Sequence, residues 1–77
     1  MKAHITLKLF ASLTKFEPDS SDRYPVNSHT SVHNIIKQLG IPENEAKLIF
    51  INNKKGTPDS VLKDGDRLGI FPPIGGG

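Results

Sequence analysis

The sequence contains no cysteine, which excludes disulfides, thiolate metal sites and cysteine nucleophiles and makes the chain indifferent to redox compartment. It also lacks a strong excess of either charge. Ten Lys and Arg against eight Asp and Glu leave a net charge of +2. The basic residues are scattered from Lys2 to Arg67, with only Lys54 and Lys55 adjacent. Such a balance does not point to nucleic acid as a partner. Long apolar runs are missing too: Leu48-Ile49-Phe50-Ile51 is far too short to cross a bilayer. The segment Met1-Lys2-Ala3-His4-Ile5-Thr6 alternates polar with apolar residues instead of opening a signal peptide, so a cytoplasmic protein without a membrane partner is expected. No Gly-rich phosphate loop precedes a helix, and no internal repeat is present.

What remains is one small domain. Seventy-seven residues, 35% of them hydrophobic and 23% charged, have globular composition but bury only about 60% of the unfolded surface. So thin a core leaves little interior for an enclosed active site, and any chemistry belongs on a surface, a loop or a terminus.

Ala3, Ile5, Leu7 and Leu9 alternate with His4, Thr6 and Lys8, the period of two of a half-buried strand whose odd-numbered side chains face the core. Next comes a polar stretch from Thr14 to Ser28, with a turn at Pro18-Asp19-Ser20-Ser21-Asp22. Arg23-Tyr24-Pro25-Val26 reads as a short second strand, and Pro25, having no N–H to donate, puts it at an edge or a bulge. Val32, Ile35, Ile36 and Leu39 sit at i, i+3, i+4 and i+7 and predict a helix with one apolar stripe. Thr30 or Ser31 caps its start, Gly40 its end, and Pro42 forbids continuation. Leu48 to Ile51 reads as a buried strand and Asn52-Asn53-Lys54-Lys55-Gly56 as the turn after it. Lys63-Asp64-Gly65-Asp66 is a second turn, leading into a last strand from Arg67 to Phe71. Strand, strand, helix, strand, strand, with a single helix stripe to bury, predicts a two-layer α+β domain. It becomes a β-grasp arrangement if the first and last strands lie parallel and adjacent in the centre.

The chain closes on Phe71-Pro72-Pro73-Ile74-Gly75-Gly76-Gly77. Two prolines remove two backbone donors, so the ladder must stop near Phe71, and they direct the remaining residues away from the sheet. From Pro72 onward the tail can extend about 20 Å. Terminal glycines are often no more than a frayed end. A frayed end is ordinarily charged or polar, however, and this one is apolar, then bare, on a stiffened base. A terminal glycine presents a carboxylate with no Cβ beside it, around which a narrow channel in another protein can close. A carboxylate becomes an electrophile once adenylated with ATP, and such an intermediate needs shielding from water.

Leu7-Lys8-Leu9-Phe10-Ala11-Ser12-Leu13, the capped helix, Leu62-Lys63-Asp64-Gly65-Asp66 and the Phe71–Gly77 tail together resemble the ubiquitin-like sulfur carriers, which include the small subunit of molybdopterin synthase and the thiamin sulfur carrier. The resemblance implies a β-grasp domain over residues 1–71, with a mixed sheet of four or five strands covered on one face by one main helix, and a flexible tail over 72–77. It implies that an E1-like enzyme adenylates the Gly77 carboxylate using ATP and that a sulfur-transfer step makes it a thiocarboxylate. Gly75 and Gly76 would thread the partner's channel, while Phe71, Pro72, Pro73 and Ile74 engage it where the tail leaves the sheet. Leu9-Phe10-Ala11 and Phe71-Pro72-Pro73 resemble the molybdopterin branch more than the thiamin branch. That resemblance implies the large subunit of molybdopterin synthase as sulfur acceptor, no bound cofactor and no catalysis by the chain alone. The three closing glycines and the short link Ile41 to Lys47 depart from that branch and leave thiamin or another thiolation pathway as alternatives. A protein modifier joined to lysines and a non-covalent β-grasp module are the others.

Other candidate residues carry less. His29 and His33 are four apart, a spacing that can place two imidazoles around a metal. His29, however, precedes the cap, no third ligand is evident, and solvated histidines are expected. Asp64 and Asp66 flank Gly65 and read as turn formers rather than a carboxylate pair; Asn52 and Asn53 likewise read as turn chemistry.

Overall fold

A computed structural model describes residues 3–73. The alternation at the start of the chain becomes β1 (Ala3–Leu9), with Ile5, Leu7 and Leu9 buried and Lys8 exposed. The chain then turns through a 3-10 helix (Ala11–Phe16) that buries Leu13, and through a second (Ser21–Arg23) into β2 (Tyr24–Val26). The helix α1 (Val32–Leu39) buries Val32, Ile35 and Ile36. After a third 3-10 helix (Glu43–Glu45) come β3 (Leu48–Ile51), β4 (Lys54–Lys55) and β5 (Arg67–Phe71).

The strand order is β2-β1-β5-β3-β4. β1 and β5, the first and last strands, run parallel side by side in the centre, with Thr6 opposite Arg67 and Leu9 opposite Ile70. The remaining pairs, β1–β2, β3–β4 and β3–β5, are antiparallel. This is the β-grasp arrangement, with five strands. The fifth differs from expectation. Asn52 and Asn53 alone make the turn, at φ 53 and 69, and Lys54 and Lys55 return as a strand opposite Ile51 and Phe50. Two exposed lysines carry no alternation, so only their cross-strand pairing reveals the strand.

Each helix end is closed by the expected chemistry. The Ser31 hydroxyl accepts from Asn34 N while Asn34 Oδ1 accepts from Ser31 N, a capping box. The first helical donors are used as well: Val32 N donates to Ser60 O and His33 N to Pro58 O, so the loop before β5 seals the helix N-terminus. Gly40 takes a left-handed φ of 78, and its N–H donates to Ile36 O and Lys37 O. The apolar stripe lies on the inner face of the sheet against Ile5, Leu7, Leu68, Ile70 and Ile49, all 3% exposed or less. Burying each such side chain contributes about 1.5–3 kcal/mol.

All of the site-bearing strands therefore have one face under the helix and one free. Both sheet edges are guarded, with Pro25 on β2 and two lysines on β4, features that discourage another strand from adding there. Among the described residues no helix is long and apolar enough to cross a membrane.

Candidate functional site

Side chains of even number on β1 and of odd number on β5 point away from the helix, and β3 presents Leu48 and Phe50 to the same side. The register aligns them in rows. Phe71 of β5 stands opposite Leu48 and beside Phe10, the residue after β1. The next row across the sheet reads Lys8, Gly69, Phe50, Lys55. The third contains Thr6 and Arg67.

Three aromatic rings from three different segments thereby meet. Phe10 and Phe71 are stacked with centroids 4.0 Å apart and planes 1° from parallel. Phe50 meets Phe71 edge-on at 5.7 Å and 82°. Such pairs contribute about 0.5–1.5 kcal/mol beyond their buried area. The rings are only partly buried, so they border an open groove of about 680 Å³. Gly69 forms part of its floor: a Cβ there would rest 3.5 Å from Phe10 Cε2. Among the described residues, the polar groups on the groove are Thr6, Asn53, Lys8 and Arg67, and no carboxylate lines it.

The sheet ends where the sequence predicts. Lys47 N donates to Phe71 O, and beyond it Pro72 and Pro73 have no N–H to offer. Phe71 thus sits both at the exit of the tail and in the middle of the aromatic cluster. Pro72 is half-buried and Pro73 exposed. Ile74, Gly75, Gly76 and Gly77 lie outside the described residues.

The other candidates resolve as structural groups. Asp64 Oδ1 accepts from His4 N, and Asp66 accepts from Lys63 N and from Asn52 Nδ2. Asn52 Oδ1 accepts from Arg67 N, so the two turns are tied to one another and to β1. His29 is exposed at φ 65, and His33 Nε2 meets Glu43 Oε1 at 2.5 Å, joining the helix to the next 3-10 turn. Among the described residues no group of three or more His, Asp or Glu is placed to hold a metal.

Sequence reasoning placed Phe71, Pro72 and Pro73 at the tail's exit but missed the participation of Phe50, Lys8 and Arg67. A signal was present for Lys8, which falls on the polar phase of β1; β3 is apolar on both phases, so nothing in its sequence set Phe50 apart.

Comparison with known proteins agrees with the architecture. The family model described as Mut7-C ubiquitin matches residues 2–75. Among solved structures, the Haloferax volcanii HVO 2177 protein is 19% identical with a TM-score of 0.77, over 99% of this chain and 88% of that one. Small archaeal modifier protein 1 of H. volcanii is 20% identical with a TM-score of 0.68, over 94% and 99%. The complex of subunits 1 and 2 of the molybdopterin-converting factor from Helicobacter pylori contains a chain that is 18% identical with a TM-score of 0.56, over 100% of both chains. No curated protein matches the sequence significantly. At these identities the structures establish the ubiquitin-like fold alone. The family match, spanning nearly the whole sequence, does more: the chain belongs to the Mut7-C ubiquitin family.

Proposed function

We propose that the protein is a ubiquitin-like sulfur carrier whose reactive group is the carboxylate of Gly77, taken as the last residue of the mature chain. The observation that carries this reading is the bare Gly75-Gly76-Gly77 run on a diproline base, leaving β5 at the edge of an open aromatic groove. An E1-like enzyme joins the carboxylate oxygen to the α-phosphorus of ATP and releases pyrophosphate. Hydrosulfide then attacks the acyl carbon, the bond to AMP breaks and AMP departs, and Gly77 carries a thiocarboxylate. ATP belongs to the activating enzyme, and the chain holds no cofactor of its own. The sheet face around Phe10, Phe50 and Phe71 docks the partner while Pro72, Pro73 and Ile74 steer the glycines into its channel. Dependence on ATP fits a cycle that runs in the cytoplasm.

The sulfur acceptor we favour is a molybdopterin synthase large subunit. Leu9-Phe10-Ala11 and Phe71-Pro72-Pro73 support it, as does the shared fold with subunit 1 of the H. pylori complex. The fold shared with small archaeal modifier protein 1 favours a second reading, transfer of the same acyl group to a lysine. An isopeptide bond between Gly77 and a target lysine would distinguish it.

Pyrophosphate exchange tests the activation step. With the E1-like enzyme of its own cell, the full chain should support ATP–pyrophosphate exchange, and a chain lacking Gly76 and Gly77 should not. Equal exchange with both chains would defeat the carrier reading and leave a non-covalent module.

A further inference from the structure

Resting on the carrier reading above, we infer that the free sheet face selects a protein partner whose surface carries carboxylates astride an apolar side chain, matched to the cationic frame Lys8–Lys55–Arg67. The frame arises from the register. Lys8 on β1 and Lys55 on β4 terminate the row that runs through Gly69 and Phe50. Three strand spacings separate them, about 14 Å. Arg67 lies two residues from Gly69 along β5, about 7 Å off that row. All three are exposed. The one ion pair among the described residues is His33–Glu43, so none of the three cations is paired with a described carboxylate. Between them lie the groove and its phenylalanines, with no carboxylate among the described lining residues.

Charge decides among occupants. A second copy placed face to face would oppose cations with cations, which costs affinity and disfavours self-association. A single-stranded nucleic acid would satisfy the charge, but bases bind by stacking on free ring faces. Here Phe10 and Phe71 spend facing surfaces on each other, and Phe50 abuts Phe71 edge-on. The groove instead accepts an apolar side chain inserted beside the rings over Gly69, with acidic groups reaching the flanking cations. The rings supply contact energy and the cations supply orientation and encounter rate.

The test measures how the E1-like enzyme of the same cell depends on carrier concentration in ATP–pyrophosphate exchange. The K8E/K55E/R67E chain should raise KM about tenfold or more at low salt, with kcat within about twofold. Added NaCl should raise KM for the wild type and lower or leave unchanged that of the reversed chain. The neutral K8Q/K55Q/R67Q chain should shift KM in the same direction by less, and the K37E/K63E chain, reversed elsewhere on the surface, should leave it unchanged. Thermal melting confirms that each chain folds. If the wild type is activated and the triple reversal leaves KM unchanged, or if K37E/K63E has the same effect, the inference falls while the carrier reading stands. If the wild type is not activated at all, both fall. A labelled oligothymidylate that binds more tightly than the enzyme, and is lost on the triple reversal, would also overturn it in favour of nucleic acid.

Discussion

Phe71 carries two duties at once, because the last residue of the central ladder is also the hub of the aromatic cluster. Truncating Phe71→Ala removes the stack on Phe10 and the edge contact with Phe50. For a partly buried ring this should cost about 1–3 kcal/mol in urea unfolding; a loss under about 0.5 kcal/mol would mean the rings do not hold the sheet exit in place. Ala11, next to Phe10, shows where the chain accepts strain to build this cluster. Its φ of 52 lies in the left-handed region, which costs an L-residue about 1–2 kcal/mol. Ala11→Gly relieves that cost against a gain in unfolded-chain entropy of about 0.4–1 kcal/mol. Unfolding should show stability unchanged or raised by up to about 1.6 kcal/mol, and a clear loss would show that the methyl group is needed. Gly40 is the converse case: at φ 78 a Cβ would meet open space, so only the backbone conformation opposes it and Gly40→Ala should destabilise by about 1 kcal/mol.

At the scale of elements, whatever depended on local periodicity was legible. β1 and β3 announced themselves by apolar placement, and α1 by its stripe between Ser31 and Gly40. The parallel pairing of the two end strands could be guessed because one helix can cover only one compact sheet. Non-local pairing was not legible. β4 is two exposed lysines defined solely by hydrogen bonds to β3, and the 3-10 turns between Ala11 and Arg23 have no repeating pattern. The groove was hidden for the same reason: Phe10, Phe50 and Lys8 become neighbours only once β5 lies between β1 and β3. The Asn52–Asn53 turn links the two levels. Its paired positive φ values are those of a two-residue hairpin turn that favours Asn and Gly, and Asn52 also bonds Arg67 N and Asp66. Asn53→Gly should therefore stabilise slightly, by up to about 1 kcal/mol. Asn52→Ala should cost about 1–2 kcal/mol by losing two hydrogen bonds. Equal effects of the two substitutions in thermal unfolding would contradict this division.

On the proposed reading, the whole molecule separates a folded globule from the group that reacts. The described core lies entirely within residues 5–70, so removing Gly76 and Gly77 should leave the unfolding midpoint unchanged within error while abolishing activation. A shift of several degrees would show the tail to be part of the fold. The guarded edges leave the free sheet face as the sheet's own surface for a partner, and Phe71, the last residue of β5, lies on it. The most direct measurement is the intact mass of the protein purified after co-expression with its E1-like enzyme, with fragmentation of its C-terminal peptide. A sulfur carrier should yield a species in which one oxygen is exchanged for sulfur, with the change located on Gly77. Unmodified carboxylate alone, in cells where that enzyme is demonstrably active, would contradict it.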